Sequence, residues 1–79
     1  MHEFSIALEI LDTLEENGYL DGVKKVNSVK LAIGKYSGID KNYLEFAFQN
    51  LSDERFKNVF TEFVPNDSDE IKIIEITVD

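Results

Sequence analysis

Residues 26–51 read VNSVKLAIGKYSGIDKNYLEFAFQNL, and the spacing of the apolar residues changes within this stretch. Val29, Leu31 and Ile33 alternate with Lys30 and Ala32, which is the period of a half-buried strand. After the turn KYSG, apolar residues recur at the spacing of one helix face, at Leu44, Ala47, Phe48 and Leu51. The stretch therefore predicts a strand followed directly by a helix, and this helical stripe is interpreted as core.

Two residues refine this strand–helix prediction. Val26 breaks the strand alternation, which indicates either a β-bulge or a later start of the strand. Asp40 stands just before the helical pattern, where its carboxylate can accept backbone N–H groups of the first turn. The helix is therefore expected to begin directly after Asp40.

A second helical pattern precedes the strand, from Phe4 to Glu16. Its apolar residues form overlapping sets at positions i, i+3, i+4 and i+7, namely Phe4, Ala7, Leu8, Ile10, Leu11 and Leu14. Asn17-Gly18 supplies a stop, because glycine enters the left-handed conformation without steric cost. We expect one amphipathic helix here.

Two further strands are predicted downstream. In NVFTEFVP, residues 58–65, Val59, Thr61 and Phe63 share one face, and Pro65 is expected to end the strand because it lacks an N–H donor. NDSDE is a short polar turn, and IKIIEITV is the last strand, with its register left open by adjacent isoleucines.

The order of elements predicts an α+β fold in a single domain, residues 1–79. Two helices packed on one face of a three-stranded mixed sheet satisfy the order helix–strand–helix–strand–strand. The strand–helix–strand unit favours a parallel pair with a right-handed crossover. The last two strands are expected to form an antiparallel hairpin, closed by the turn near residues 65–70.

Composition excludes several classes of function. The chain of 79 residues carries 16 acidic and 8 basic side chains, and its net charge of −8 disfavours nucleic acid and anionic membrane surfaces as partners. It has no cysteine, so disulfides, thiolate nucleophiles and cysteine-based zinc sites are excluded. No stretch has the apolar length of a membrane helix or the pattern of a signal peptide, which predicts a cytoplasmic protein. With one histidine and no phosphate-cradling glycine loop, the chain is not expected to be an enzyme.

The first three residues, Met-His-Glu, bring an α-amine, an imidazole and a carboxylate together. The amine, the intervening amide nitrogen and the ring of His2 could share one ion in linked chelate rings. Such nitrogen-rich donation suits Ni(II) or Cu(II) better than Mg(II) or Ca(II), and its affinity would rise with pH. The alternative is that the tripeptide arises by chance and that Glu3 only favours a helix N-terminus electrostatically.

Two motifs carry a resemblance to a known family. MHEFSIALEILDTLEENG, followed by VNSVKLAIGKYSGIDKNYLEFAFQNL, closely resembles the nickel-binding domain of the HypA/HybF family of hydrogenase nickel-maturation chaperones. The resemblance covers residues 1–51, weakens over residues 52–65 and returns with EIKIIEITVD. The tripeptide and the second motif stand at the right separation, which makes the signal specific.

The resemblance implies a nickel metallochaperone that binds Ni(II), the transported ion, at its amino terminus. His2 would be the leading ligand, with the Met1 amine and backbone nitrogens beside it, and Glu3 would contribute through its backbone or its carboxylate. Asp40 is a weaker candidate for an oxygen ligand, since helix capping alone explains it. The implied partners are a hydrogenase maturation GTPase and the hydrogenase large subunit. A homodimer formed by exchange of a terminal element is compatible with so small a sheet.

One departure from the family is large. Its members normally insert a zinc domain with two Cys-x-x-Cys pairs before the final strand, whereas this chain has VPNDSDEIK and no thiolate. No zinc is therefore expected, whether the domain was lost naturally or removed by engineering. An alternative function is an interaction module that docks a maturation partner without metal, through the acidic helix face of Glu9, Asp12 and Glu16.

Overall fold

A computed structural model describes residues 2–79 and contains two helices and three strands. Their bounds, in chain order, are α1 Glu3–Glu16, β1 Val26–Gly34, α2 Lys41–Gln49, β2 Phe60–Asn66 and β3 Ile71–Val78, with a 3₁₀ turn at Glu54–Phe56 before β2. This order confirms the predicted α+β class. Within residues 2–79, no helix is both long enough and apolar enough to cross a membrane.

The sheet has the strand order β2-β1-β3, with β1 at its centre. β1 is parallel to β2, as predicted, and antiparallel to β3. The predicted hairpin between the last two strands is wrong, since β2 and β3 lie on opposite sides of β1. The reason is that β1 is the most deeply buried strand, and its N–H and C=O groups need partners on both sides.

The chain crosses from one edge of the sheet to the other over the end of β1, at Gly34. The N–H of Gly34 donates to Glu70 O at 2.9 Å, and the N–H of Lys35 donates to Asn66 O at 2.9 Å. A β-carbon on Gly34 would overlap the carbonyl oxygen of Ser68. Glycine is therefore required here, because any side chain would displace the crossing turn.

Irregular pairing settles the registers that the sequence leaves open. Pairing with β3 shifts between Val26 and Ser28, which confirms the predicted bulge at the start of β1. A second shift leaves Ile74 without a partner, so the adjacent isoleucines lie at a bulge. Pro65 does not end β2, because it pairs with Ile33 inside the strand. An edge strand tolerates proline, since one row of its N–H groups has no neighbouring strand.

The core lies between the two helices and one face of the sheet. Its buried apolar residues include Ala7, Ile10, Leu11, Leu14, Val29, Leu31, Ile33, Leu44, Ala47 and Phe48. Two members of the apolar stripe predicted for α1 are instead substantially exposed, Phe4 at 37% and Leu8 at 49%. Phe4 instead lies against the rings of Tyr43 and Phe46 on α2.

Candidate metal centre

His2 lies at the start of α1 with an exposed side chain. It is the N-cap residue of this helix, and its carbonyl oxygen accepts the N–H of Ile6 at 3.0 Å. Within residues 2–79, its imidazole makes no capping hydrogen bond to the helix. Met1, whose amine is the other predicted nitrogen donor, lies outside the described residues.

Glu3 is the first residue of α1, and its side chain is only 2% exposed. Its carboxyl oxygen Oε2 accepts the backbone N–H of Asp40 at 3.0 Å. A buried carboxyl group is costly without such a partner, so the hydrogen bond is needed for the burial. Glu3 therefore fastens the start of α1 to the start of α2. Sequence reasoning missed this contact, because the two residues lie in separate elements and share no local pattern.

Asp40 is the residue through which α2 contacts Glu3 of α1. It is the N-cap residue of α2, and its Oδ1 accepts the N–H of Tyr43 at 3.0 Å. The predicted capping role is confirmed. The residue is exposed, and its own N–H is the group bound by Glu3. One residue thus orders the first turn of α2 and anchors the first turn of α1.

The structure brings two of the predicted site residues, Glu3 and Asp40, into direct contact, with His2 next to Glu3 in the chain. Across residues 2–79, no group of three or more histidine, aspartate or glutamate side chains is arranged to hold a metal ion. These side chains alone form no closed cage. An ion at this end of the molecule would have to draw on main-chain nitrogens and the terminal amine as well.

Three aromatic rings form an exposed surface beside this end of the helices. The ring centroids of Phe4 lie 6.2 Å from Tyr43 and 6.4 Å from Phe46, and those of Tyr43 and Phe46 lie 5.8 Å apart in a stacked pair. We call these three residues the aromatic surface. The sequence carried one signal for it, since Tyr43 and Phe46 flank the buried stripe of α2.

An ion cluster lies at the opposite end of α1. Arg55 donates to Asp53 through Nε at 2.9 Å and Nη2 at 2.7 Å, and Nη2 also reaches Glu15 Oε2 at 3.3 Å. The hydrogen bonds from Arg55 lower the pKa of Asp53, and those to Asp53 and Glu15 raise the pKa of Arg55. This cluster ties the segment before β2 to the last turns of α1.

Comparison with known proteins agrees with the fold and with the amino-terminal sequence. The family model described as "Hydrogenase/urease nickel incorporation, metallochaperone, hypA" matches residues 1–77. The hydrogenase maturation factor HypA of Syntrophus aciditrophicus is 44% identical over 54 residues, which are 68% of this chain and 47% of that protein. HypA of Chlorobaculum parvum is 38% identical over 48 residues, which are 61% of this chain and 42% of that protein. The chain thus spans less than half the length of these relatives.

Two solved structures share the fold. A solution structure of a HypA protein has a TM-score of 0.71 at 17% identity, covering 99% of this chain and 96% of that chain. The solution structure of the Ni metallochaperone HypA from Helicobacter pylori has a TM-score of 0.62 at 19% identity, covering 99% of this chain and 93% of that chain. At this level of identity they bear on the fold alone, and the family-model match carries the assignment. The chain belongs to the HypA family of hydrogenase/urease nickel-incorporation metallochaperones.

Proposed function

We propose that this protein carries Ni(II) at its amino terminus and delivers it during hydrogenase maturation. The observation that carries the proposal is the buried Glu3 side chain, which is hydrogen-bonded to the N–H of Asp40. This bond fixes the first turn of α1 and leaves His2 exposed immediately before it. A fixed backbone with an exposed imidazole is a suitable support for an ion that must be both held and released.

In this proposal the ligands are the Met1 amine, the backbone nitrogens and the His2 imidazole. Glu3 contributes through its backbone, since its carboxyl group already binds Asp40. Planar nitrogen donation suits Ni(II), and the open positions let an incoming ligand of the acceptor enter by exchange. Because the amine and the imidazole must lose protons to bind, nickel affinity should rise with pH.

The proposal extends to the domain and its partners. Residues 1–79 form one nickel-binding domain, with the turn near residues 65–70 at the point where the family's zinc domain would be inserted. The acceptors are a hydrogenase maturation GTPase and the hydrogenase large subunit. The family description supports nickel as the cargo, and the membership of this chain supports partners of this kind.

The test is calorimetric titration of Ni(II) into protein with an unextended Met1, at two pH values. We expect His2→Ala, or one extra residue ahead of Met1, to weaken binding by at least about tenfold, a size of effect that outer-shell changes alone produce at metal sites. Tyr36→Ala, at a surface residue in the β1–α2 loop, is the matched control. Equal affinities for His2→Ala and the unchanged protein would refute the proposal.

Asp40 enters the proposal as an oxygen donor through its second carboxyl oxygen, since Oδ1 caps α2. Asp40→Asn separates the two roles, because asparagine caps helices equally well but is a weaker ligand. We expect unchanged stability and a nickel affinity about tenfold lower. Equal nickel affinity would leave Asp40 with the capping role alone.

A second candidate, partner docking without metal, is favoured by the aromatic surface, where Phe46 is 49% and Tyr43 is 45% exposed. Under this candidate, Phe46→Ser weakens binding of the maturation GTPase, and neither chelator nor nickel changes it. Tyr36→Ser, which also removes an exposed ring, is the control. A GTPase interaction that needs nickel and tolerates Phe46→Ser would exclude this candidate.

A further inference from the structure

The aromatic surface continues along α1 as a row of exposed side chains. The row consists of Phe4, Leu8, Asp12 and Glu16. Each member is four residues from the next, so they are neighbours along one face of the helix. All four side chains are exposed, Phe4 at 37% and Leu8 at 49%. We call these four residues the α1 row; its first half is apolar and its second half is acidic.

The apolar half of the α1 row lies beside the rings of α2. Phe4 packs edge-on against Tyr43 and Phe46, which are 45% and 49% exposed. Leu8 follows Phe4 by one turn of α1. Four exposed apolar side chains therefore border the seam between the two helices, at the end where His2 lies. An apolar seam between packed helices accepts the apolar face of a third helix.

The acidic half of the α1 row has no cation of its own. Helix α1 contains no lysine or arginine, and within residues 2–79 neither Asp12 nor Glu16 forms an ion pair. Like charges one helical turn apart repel each other, so a cation placed against both would relieve the repulsion. A helix that covers the whole row therefore needs basic side chains at this end.

A second copy of this chain does not meet that requirement. Its α1 has no basic residue, and its α2 has only Lys41, at the first position of the helix. Neither helix combines an apolar half with a basic half. The net charge of −8 also opposes the approach of another copy. The occupant is therefore a helix of another protein.

We propose that the seam between α1 and α2 binds a basic amphipathic helix of a partner protein. Its apolar side chains contact Phe4, Leu8 and the rings of α2, and its lysine or arginine side chains contact Asp12 and Glu16. The α1 row is about 18 Å long, which a partner helix of about twelve residues covers. The charge pattern fixes the direction in which that helix lies. The inference rests on the proposed function in taking this partner as the acceptor of the ion, because the seam begins beside His2.

The probe is a synthetic helical peptide of about 18 residues. It carries leucines on one face of its first half, lysines on the same face of its second half and alanines elsewhere. The peptide is titrated into the isotope-labelled 79-residue chain at low salt, without nickel, and binding is followed by NMR. We expect a Kd below about 1 mM, with resonance changes at the α1 row and the aromatic surface. A matched peptide with glutamates in place of the lysines should bind at least about tenfold more weakly.

Two variants test the two halves of the α1 row separately. Leu8→Ser removes an apolar contact and Asp12→Lys reverses one charge, and each should weaken binding of the lysine peptide about fivefold. Ile74→Ser is the control for Leu8→Ser, since Ile74 is also 49% exposed but lies on β3. Glu62→Lys is the control for Asp12→Lys, since it makes the same charge change at an exposed residue of β2. Both controls should leave peptide binding unchanged.

Circular dichroism verifies that each variant is folded. The proposal is overturned if the lysine peptide does not bind up to about 1 mM or if both peptides bind equally well. Unchanged affinity in both Leu8→Ser and Asp12→Lys also overturns it. Because these titrations contain no nickel, their failure would leave the nickel proposal standing, and a failed nickel titration would leave the docking result standing.

Discussion

Helix α1 is fastened at both ends, by contacts of different kinds. At its start, the buried carboxyl group of Glu3 accepts the backbone N–H of Asp40. At its end, Glu15 belongs to an ion cluster in which the exposed fractions of the side chains are 51% for Glu15, 25% for Arg55 and 14% for Asp53. The cluster has more hydrogen bonds, but burial determines how much each contact contributes to the free energy of unfolding. Water competes for exposed groups, whereas it cannot replace a buried partner that has been lost.

The difference places the more deeply buried contact of α1 beside the proposed nickel site. The Glu3 contact holds backbone that would carry the ion, whereas the cluster of Asp53, Arg55 and Glu15 holds a connecting segment before β2. Three experiments bear on this comparison.

Glu3→Ala should have the largest effect on stability. It leaves the N–H of Asp40 without its buried partner and removes a fully packed side chain, and we expect a loss of about 2–3 kcal/mol in the free energy of unfolding. Urea denaturation followed by circular dichroism measures it. A loss below about 0.5 kcal/mol would mean that the buried contact is worth no more than a surface ion pair.

Glu3→Gln is the matched control, because the amide oxygen can still accept the Asp40 N–H. We expect this variant to keep most of the stability and, under the proposed function, the nickel affinity as well. A variant that stays stable but loses nickel would instead identify the Glu3 carboxyl group as a ligand.

Arg55→Met should have a smaller effect. It keeps the apolar part of the side chain and removes the donors to Asp53 and Glu15, and we expect a loss of about 0.5–1 kcal/mol. In 1 M salt this loss should shrink, since screening weakens partly exposed ion pairs, while the Glu3→Ala loss should persist. The measurement is unfolding of both variants with and without 1 M salt. Equal changes of the two stability losses with salt would contradict the comparison.

The smallest expected effect is a pH dependence. The hydrogen bonds from Arg55 lower the folded-state pKa of Asp53 below its ordinary value of 3.8. Its contribution to stability is therefore fully present above about pH 4 and is lost as the pH falls through the folded-state pKa. Asp53→Asn, which keeps an acceptor for the N–H of Arg55, should flatten this part of the acid unfolding curve. If Asp53→Asn left the acid unfolding curve unchanged, the assignment of this pH-dependent stability to Asp53 would be contradicted.

Much of the fold could be predicted because its signals are local. Periodicity located both helices and all three strands, Asp40 was identified as a cap, and Val26 was predicted to mark either a bulge or a later start of β1. The position of β3 could not be predicted from periodicity, since a short polar turn is compatible with a hairpin and with a crossing over β1. The crossing is favoured over the hairpin because the backbone groups of the buried strand β1 need hydrogen-bond partners on both sides. It is also allowed sterically, because Gly34 has no β-carbon where the chain passes.

The candidate site also has features that the sequence alone predicts and features that depend on the tertiary structure. The tripeptide Met-His-Glu and its separation from the second motif are properties of the chain alone, and they were sufficient for the family and for the proposed nickel cargo. The tertiary structure decided that Glu3 is buried against Asp40, that Phe4 joins an exposed aromatic surface, and that β3 lies at an edge of the sheet. These properties depend on which elements meet, and burial and hydrogen bonding between distant residues leave no periodic trace in the sequence.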